Sequence, residues 1–324
     1  MLFYENLEEI IFQRHNTHLS DELIILSGYI GPHPVERLGG LPFSSSVIYG
    51  MYNSDGIRAG LHNSLTALQT KLNNVDIYYS NITVHAKCYA WKRNSKIVHA
   101  LIGSANFSTN GLSSPNREVL AETTIDTFHP LDDYISNVLN NSILCLDGEV
   151  GSGARAPIPE TRTTEYCRMT LPDPRTDEVQ NYSGLNWRQG PEHHTRPNDS
   201  CIPIRASHIR NYPELFPPKL SAPTMPGEGG RSLRHNDKIE IIWDDGRIME
   251  GLLEGSYVIN RIKYPKQISS FPNKDTLGKY FRNRIEVPDG EPIWKQDLEQ
   301  YGRTHIDVSL TGEGVYFFDL SVDT

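Results

Sequence analysis

His85 and Lys87 stand one residue apart in the strand-like run from Ile82 to Trp91, and further along come Gly103-Ser104-Ala105-Asn106 and Asn116-Arg117-Glu118. Side chains alternate along a strand, so His85 and Lys87 share a face. A histidine beside a fixed ammonium, a hydroxyl and an amide suits phosphoryl transfer. The imidazole attacks phosphorus while Lys87, Ser104 and Asn106 donate to the non-bridging oxygens as charge builds on them. Glu118 can accept from the other ring nitrogen and so fix the tautomer. No metal ligand and no other cofactor is called for. A lone His-x-Lys pair is an ordinary surface feature; the combination of residue types carries the weight.

The charge pattern agrees. Net charge is -9, yet Ile77 to Arg117 holds no Asp or Glu while Lys87, Lys92, Arg93, Lys96 and Arg117 supply five positive charges. A second basic window, Arg261 to Arg284, has seven Lys or Arg against Asp275 alone. Either window by itself reads as a solvated face, but two of them in an acidic chain favour an anionic partner.

The elements that must position these residues alternate. Apolar spacing predicts a helix over Leu2 to His18, then a buried strand from Leu23 to Ile30, a strand at Val47 to Tyr52, a helix at Ile57 to Leu72 and a strand at Val75 to Ser80. Strands continue at Ile82 to Trp91, Ile97 to Gly103 and Val119 to Ile125, with Lys92 to Lys96 as a polar turn, and a helix at Leu131 to Leu144 closes the segment. This is an α/β layer pattern. From Gly148 to Glu165 the chain is rich in Gly, Pro and Thr and lacks an apolar period, which marks a linker. Short apolar runs separated by Pro, Gly, Asn and Asp follow, as in a barrel or sandwich, with a helix at Lys295 to Gln300. With 324 residues, two domains are expected, 1–155 and 156–324.

Composition excludes other classes. Hydrophobic residues at 37% and charged residues at 22% fit an ordinary folded protein rather than a disordered chain. No run reaches the ~20 apolar residues of a membrane span, and the N-terminus lacks a basic, then apolar leader, so the expected location is the cytoplasm. Cys88, Cys145, Cys167 and Cys201 form no CxxC pair and are expected to be reduced and buried. His15 with His18, and His193 with His194, lack a third ligand at a recognised spacing and read as surface or capping residues.

The set His85, Lys87, Gly103, Ser104, Asn106 and Glu118 resembles the phospholipase-D-like superfamily, whose motif is His-x-Lys, then Gly-Ser-x-Asn and, in its nuclease branch, a downstream Glu. The resemblance implies that His85 forms a covalent phosphohistidine, that Lys87, Ser104 and Asn106 bind phosphate, and that Glu118 orients His85. Two departures stand out. Lys92 occupies the place where lipid-hydrolysing members carry Asp, which argues against a lipid substrate, and the interval from Lys87 to Gly103 is long, which we attribute to an extended hairpin turn at Lys92 to Lys96. The superfamily mechanism needs a second histidine as general acid. Of twelve histidines only His85 is followed two residues later by Lys, so the resemblance implies a homodimer with the site across its axis.

In the second half, Trp187, Arg188, Gln189, Arg196 and Asn198 bring planar, forked and amide side chains that can reach base edges. A later string mixes Lys263, Lys266, Lys274, Lys279, Arg282 and Arg284 with Gln267, Ser269, Ser270 and Asn273, joining phosphate-seeking and base-reading types. Together the strings resemble the two recognition arms of B3-like DNA-binding domains, and the order of domains resembles phospholipase-D-like restriction endonucleases of the BfiI and NgoAVII kind. That resemblance implies an α/β nuclease domain with a mixed sheet flanked by helices, a mostly-β B3-like pseudobarrel, and metal-independent, site-specific cleavage of double-stranded DNA. It also implies a cognate methyltransferase in the same restriction-modification system and, in some members, a helicase subunit. No GxxxxGK[ST] is present, so ATP would enter only through such a partner. The competing expectations are a DNA-binding subunit without cleavage of its own and, more distantly, a phospholipase or phosphatidyl transferase.

Overall fold

The computed structural model describes residues 1–113, 117–151, 166–187, 196–219 and 236–322. The chain divides into two compact units, Met1–Thr164 with Thr311–Val315, and Glu165–Leu310 with Tyr316–Thr324.

The first unit is built on an eight-stranded mixed sheet. In chain order its elements are β1 (Leu2–Phe3), α1 (Leu7–Gln13), β2 (Glu22–Ser27), α2 (Pro32–Leu38), β3 (Ser44–Tyr49), α3 (Tyr52–Asp55), α4 (Ala59–Lys71), β4 (Val75–Ser80), β5 (Lys87–Arg93), β6 (Lys96–Gly103), α5 (Thr109–Ser113), β7 (Leu120–Glu122), α6 (Ile125–Asn140) and β8 (Ser142–Leu144). The strand order is β1-β7-β6-β5-β2-β3-β4-β8. β2, β3 and β4 are parallel and joined by helical crossovers, whereas β5, β6, β7 and β1 add antiparallel on the other side. β2 is central and buried on both faces, hence its unbroken Leu23-Ile24-Ile25-Leu26 run. α6 covers one face, with Ile135 and Val138 packed among Ile24, Leu26, Ile48 and Ala90.

Three expectations change here. Leu2 and Phe3 are not helical; they pair with Ala121 and Leu120 at the sheet edge, and α1 begins only at Leu7. β5 starts at Lys87, so His85 lies on the segment just before the strand. The β5–β6 turn is tight rather than long. Arg93 pairs with Lys96 across Asn94 and Ser95, both at positive φ, so the extra length lies in the strands, which also carry a bulge at Trp91/Lys92.

The second unit holds β9 (Cys167–Thr170), β10 (Ile202–Pro203), α7 (Ala206–Asn211), β11 (Asp237–Trp243), β12 (Ile248–Glu254), β13 (Tyr257–Ile259), β14 (Ile262–Tyr264), β15 (Gln267–Ser270), α8 (Asp275–Arg284), α9 (Lys295–Tyr301), β16 (His305–Gly312) and β17 (Val315–Asp319). Seven strands form one sheet in the order β10-β15-β12-β11-β17-β16-β9, and β13–β14 is a separate two-stranded ribbon. Met169 of β9 and Ile202 of β10, at opposite edges, enter the same core around Trp243, Phe281 and Phe318, so the sheet curls about that core. The α8 segment falls within the second basic window; its Leu277, Tyr280 and Phe281 turn inward at helical spacing. All four cysteines are buried thiols, and burial pushes Cys88 up to about 11. Among the described residues no helix is long and apolar enough to cross a membrane.

Candidate active site

The termini of four strands converge at one end of the first sheet. β2 ends at Ser27, paired with Lys87 at the start of β5, and β6 ends at Gly103, paired with Leu120 at the start of β7. Gly103 has a steric reason to be glycine, since a Cβ there would lie 2.0 Å from the Val119 carbonyl oxygen. Ser104 is consequently held against β7, its N–H donating to Val119 O at 3.0 Å and its Oγ accepting from Val119 N at 3.1 Å.

His85 is exposed, and Lys87 is 5% exposed. Lys87 Nζ donates to His85 O at 2.7 Å and lies 3.0 Å from Nδ1 and 3.2 Å from Nε2 of the same ring. Burial lowers the Lys87 pKa, while Glu118 pulls it back up. An ammonium so placed cannot share its proton freely with water and instead polarises whatever anion sits beside the imidazole.

Asn106 is buried and its amide is oriented by backbone. Oδ1 accepts from Tyr29 N at 3.1 Å, which makes Nδ2 the donor end of the amide. The loop carrying it is pinned by Tyr89 Oη donating to Ala105 O at 2.8 Å and by Phe107 N donating to Ser27 Oγ at 2.9 Å. Glu118 lies 3.8 Å from Arg117 Nε. It makes no hydrogen bond to His85 among the described residues, and its influence at the site is electrostatic, through Lys87. Lys92, at the position relevant to lipid chemistry, is buried and ion-paired with Asp132 at 2.6 Å, far along β5 from Lys87.

Sequence reading passes over Ser27, Gly28 and Tyr29. A Cβ on Gly28 would meet His85 Cδ2 at 3.1 Å, and the Tyr29 ring stands edge-on to His85 with centroids 5.9 Å apart. Tyr29 is tied to Asp55 through its hydroxyl at 2.6 Å. The available signal was a polar residue and a glycine directly after the most apolar strand, where the backbone must let another segment approach.

The second unit sorts the expected DNA-contacting residues. Arg196, Lys263, Lys266, Asn273 and Lys279 are exposed, and Lys279 is paired with Asp275 on its own helix at 2.8 Å. Trp187 is partly buried with Lys274 Nζ 4.2 Å from its ring, and both Lys274 and Gln267 donate to Glu254 Oε1, at 2.8 and 2.7 Å. Arg188, Gln189, His193 and His194 lie outside the described residues.

Five of the expected residues are packed within this unit. Arg282 is 1% exposed and donates to the carbonyls of Glu291 and Gly278, a core role imposed by its place on the inner side of α8. Arg284 is locked onto Asp244, with Tyr301 Oη at 2.8 Å. Ser269 and Ser270 on β15 are buried. Asn198, also buried, accepts from Gly290 N at 2.7 Å. Their residue types suit DNA contact, but packing has already used them.

Residues 5–152 match the family described as the NgoFVII restriction endonuclease N-terminal PLD domain, and residues 161–312 match the NgoFVII C-terminal B3-like DNA-binding domain. No curated protein matches the chain. Among solved structures, NucT from Helicobacter pylori is similar over 44% of this chain and 97% of its own, at 16% identity and a TM-score of 0.32. Phosphatidylserine synthase of Haemophilus influenzae Rd KW20 is similar over 44% of this chain and 38% of its own, at 10% identity and a TM-score of 0.33. Two consecutive matches that together span most of the sequence, in the order nuclease then reader, place the chain in the NgoFVII restriction endonuclease family.

Proposed function

We propose that the protein cuts double-stranded DNA at specific sites by a two-step displacement that uses no metal. A ring nitrogen of His85 attacks phosphorus, the N–P bond forms and the P–O bond to one strand end breaks. The departing oxygen takes a proton from the His85 imidazole of a second copy of the chain. Water then attacks phosphorus on the opposite side, giving its proton to that second imidazole, and His85 is released. Lys87, Ser104 and Asn106 donate to the non-bridging oxygens throughout, and Glu118 steadies the imidazole–ammonium pair by its charge. The reaction therefore requires a homodimer with the two His85 rings facing one phosphodiester.

The observation that carries this reading is the exposed His85 ring with both nitrogens within 3.2 Å of a largely buried ammonium. Exposed Arg196, Lys263, Lys266 and Asn273 are the residues we assign to DNA contact, with Trp187, Arg188 and Gln189 on the first arm. A cytoplasmic setting, a methyltransferase partner and an ATP-driven helicase subunit belong to the same reading, as partners rather than parts of this chain.

The test is plasmid cleavage by the full chain in excess chelator. Cleavage that persists in chelator and is lost in His85→Ala supports the reading. A strict Mg²⁺ requirement in the cleavage step contradicts the chemistry, and specific binding without cleavage favours a DNA-binding subunit.

A further inference from the structure

Glu254, the last residue of β12, enters no expectation drawn from the sequence, yet it holds two residues of the later recognition string, all within the second unit. It stands opposite Gln267 of β15, next to the Leu253–Ile268 pair. Leu253 and Ile268 enter the core, so the Glu254 and Gln267 side chains share the other face of the sheet. A carboxylate on that face would ordinarily reach water, but this one is only 8% exposed. Its Oε1 accepts from Gln267 Nε2 at 2.7 Å and from Lys274 Nζ at 2.8 Å. The same ammonium lies 4.2 Å from the centre of the Trp187 ring, a cation–π contact that reaches the first string.

The backbone at Lys274 is fixed separately from these contacts. Ser270 Oγ donates to Asn273 O at 2.7 Å, and Ser200 N donates to Lys274 O at 3.3 Å. An ammonium paired with a covered carboxylate cannot leave it for a phosphate without stranding a charge, which sets Lys274 apart from exposed Lys263 and Lys266. Burial alone would raise the Glu254 pKa, but the bonds from Lys274 and Gln267 bring it below the ordinary value, so the carboxylate is charged at neutral pH.

We propose that Glu254 is a positioning residue of the DNA-reading surface: its carboxylate keeps the Lys274 ammonium off DNA phosphates and holds it, with Gln267, beside Trp187, so that the two strings present their base-reading groups in one orientation. The inference rests on DNA recognition by this unit. It adds that one lysine of the basic window acts as a clamp and makes no phosphate contact.

The experiment measures binding of the full chain across a salt series to two duplex pools, one enriched by the parent from a random library and one unselected. Glu254→Gln keeps an acceptor but not the charge, so Lys274 is released to pair with phosphate. The slope of log affinity against log salt on the unselected pool should steepen by about 1. Preference for the enriched pool should fall roughly tenfold, because Gln267 and Trp187 lose their fixed placement. Adding Lys274→Gln should return the slope to the parent's while the preference stays low. Lys274→Gln alone, which leaves the carboxylate a donor, should not change the slope. An unchanged slope in Glu254→Gln, a steeper slope that survives loss of Lys274, or a shallower slope in Lys274→Gln alone overturns the proposal. A parent that enriches no sequence counts against site-specific recognition, and the three slopes then decide the clamp by themselves.

Discussion

Gly28 leaves the space that the His85 ring uses: a Cβ at residue 28 would stand 3.1 Å from His85 Cδ2, 3.4 Å from His85 Cα and 3.4 Å from Lys87 Nζ. The end of the central strand therefore sets the ring's position through a missing methyl group. Gly28→Ala requires the ring or the ammonium to move by a few tenths of an ångström. Misplacement of a nucleophile is costly even when small, so kcat for DNA cleavage should fall roughly tenfold, and further in Gly28→Val. KM and the melting temperature should stay near the parent's. Unchanged kcat in Gly28→Val would show that the ring is not held from this side.

Two classes of basic residue in the second unit should separate cleanly. Arg284 Nη1 donates to Asp244 Oδ1 at 2.9 Å in a pair whose side chains are 14% and 12% exposed. Removing one partner strands a buried charge, so Arg284→Ala should lower stability by about 3 kcal/mol. Lys263→Ala and Lys266→Ala, both at exposed positions, should leave melting unchanged and weaken binding to all DNA sequences. Each should reduce the slope of log affinity against log salt by about 1. Denaturation and salt titrations on the three variants check this, and a melting loss in Lys263→Ala would contradict it.

Acid sensitivity should come from two buried histidines, one in each unit. Burial and then neighbouring Arg14 lower His99 to about 4, and burial with Arg205 lowers His208 to about 4, from 6.5. Both are neutral when folded, so the unfolded chain binds more protons between pH 6.5 and 4. Stability is complete above that window and is lost as pH falls through it, by up to roughly 3 kcal/mol per site. Chemical denaturation at pH 7.5, 6 and 5 should follow this course, and His99→Gln and His208→Gln should each flatten it. A parent whose stability does not change across these pH values would contradict the assignment.

The part of the site that was legible in the sequence is the part where chemistry restricts residue type at short spacing: His85-x-Lys87 and Gly103-Ser104-x-Asn106. The buried strands were legible for a different reason, because β2 and the short strands of the second unit must be apolar to sit in a core. Ser27, Gly28 and Tyr29 were not, since they meet the motif only through folding. Arg282 and Arg284 show the converse limit. A run of positive charge does not reveal which guanidinium α8 turns inward to bind carbonyls and which is claimed by Asp244. α6 misled for a local reason. Pro130 suggests a helix start after it, yet the helix opens at Ile125, where it brings Phe128 onto the core.

Covalent capture of the nucleotide by His85 is the central claim, and it can be observed directly. The full chain is mixed with end-labelled DNA in excess chelator, quenched in denaturant during turnover, and examined for label that migrates with protein. The account predicts a protein-linked label that is stable in alkali, released by mild acid as expected for a phosphoramidate, and missing from His85→Ala. Rapid cleavage in chelator with no such adduct at any quench time, or an adduct that persists in His85→Ala, would contradict it.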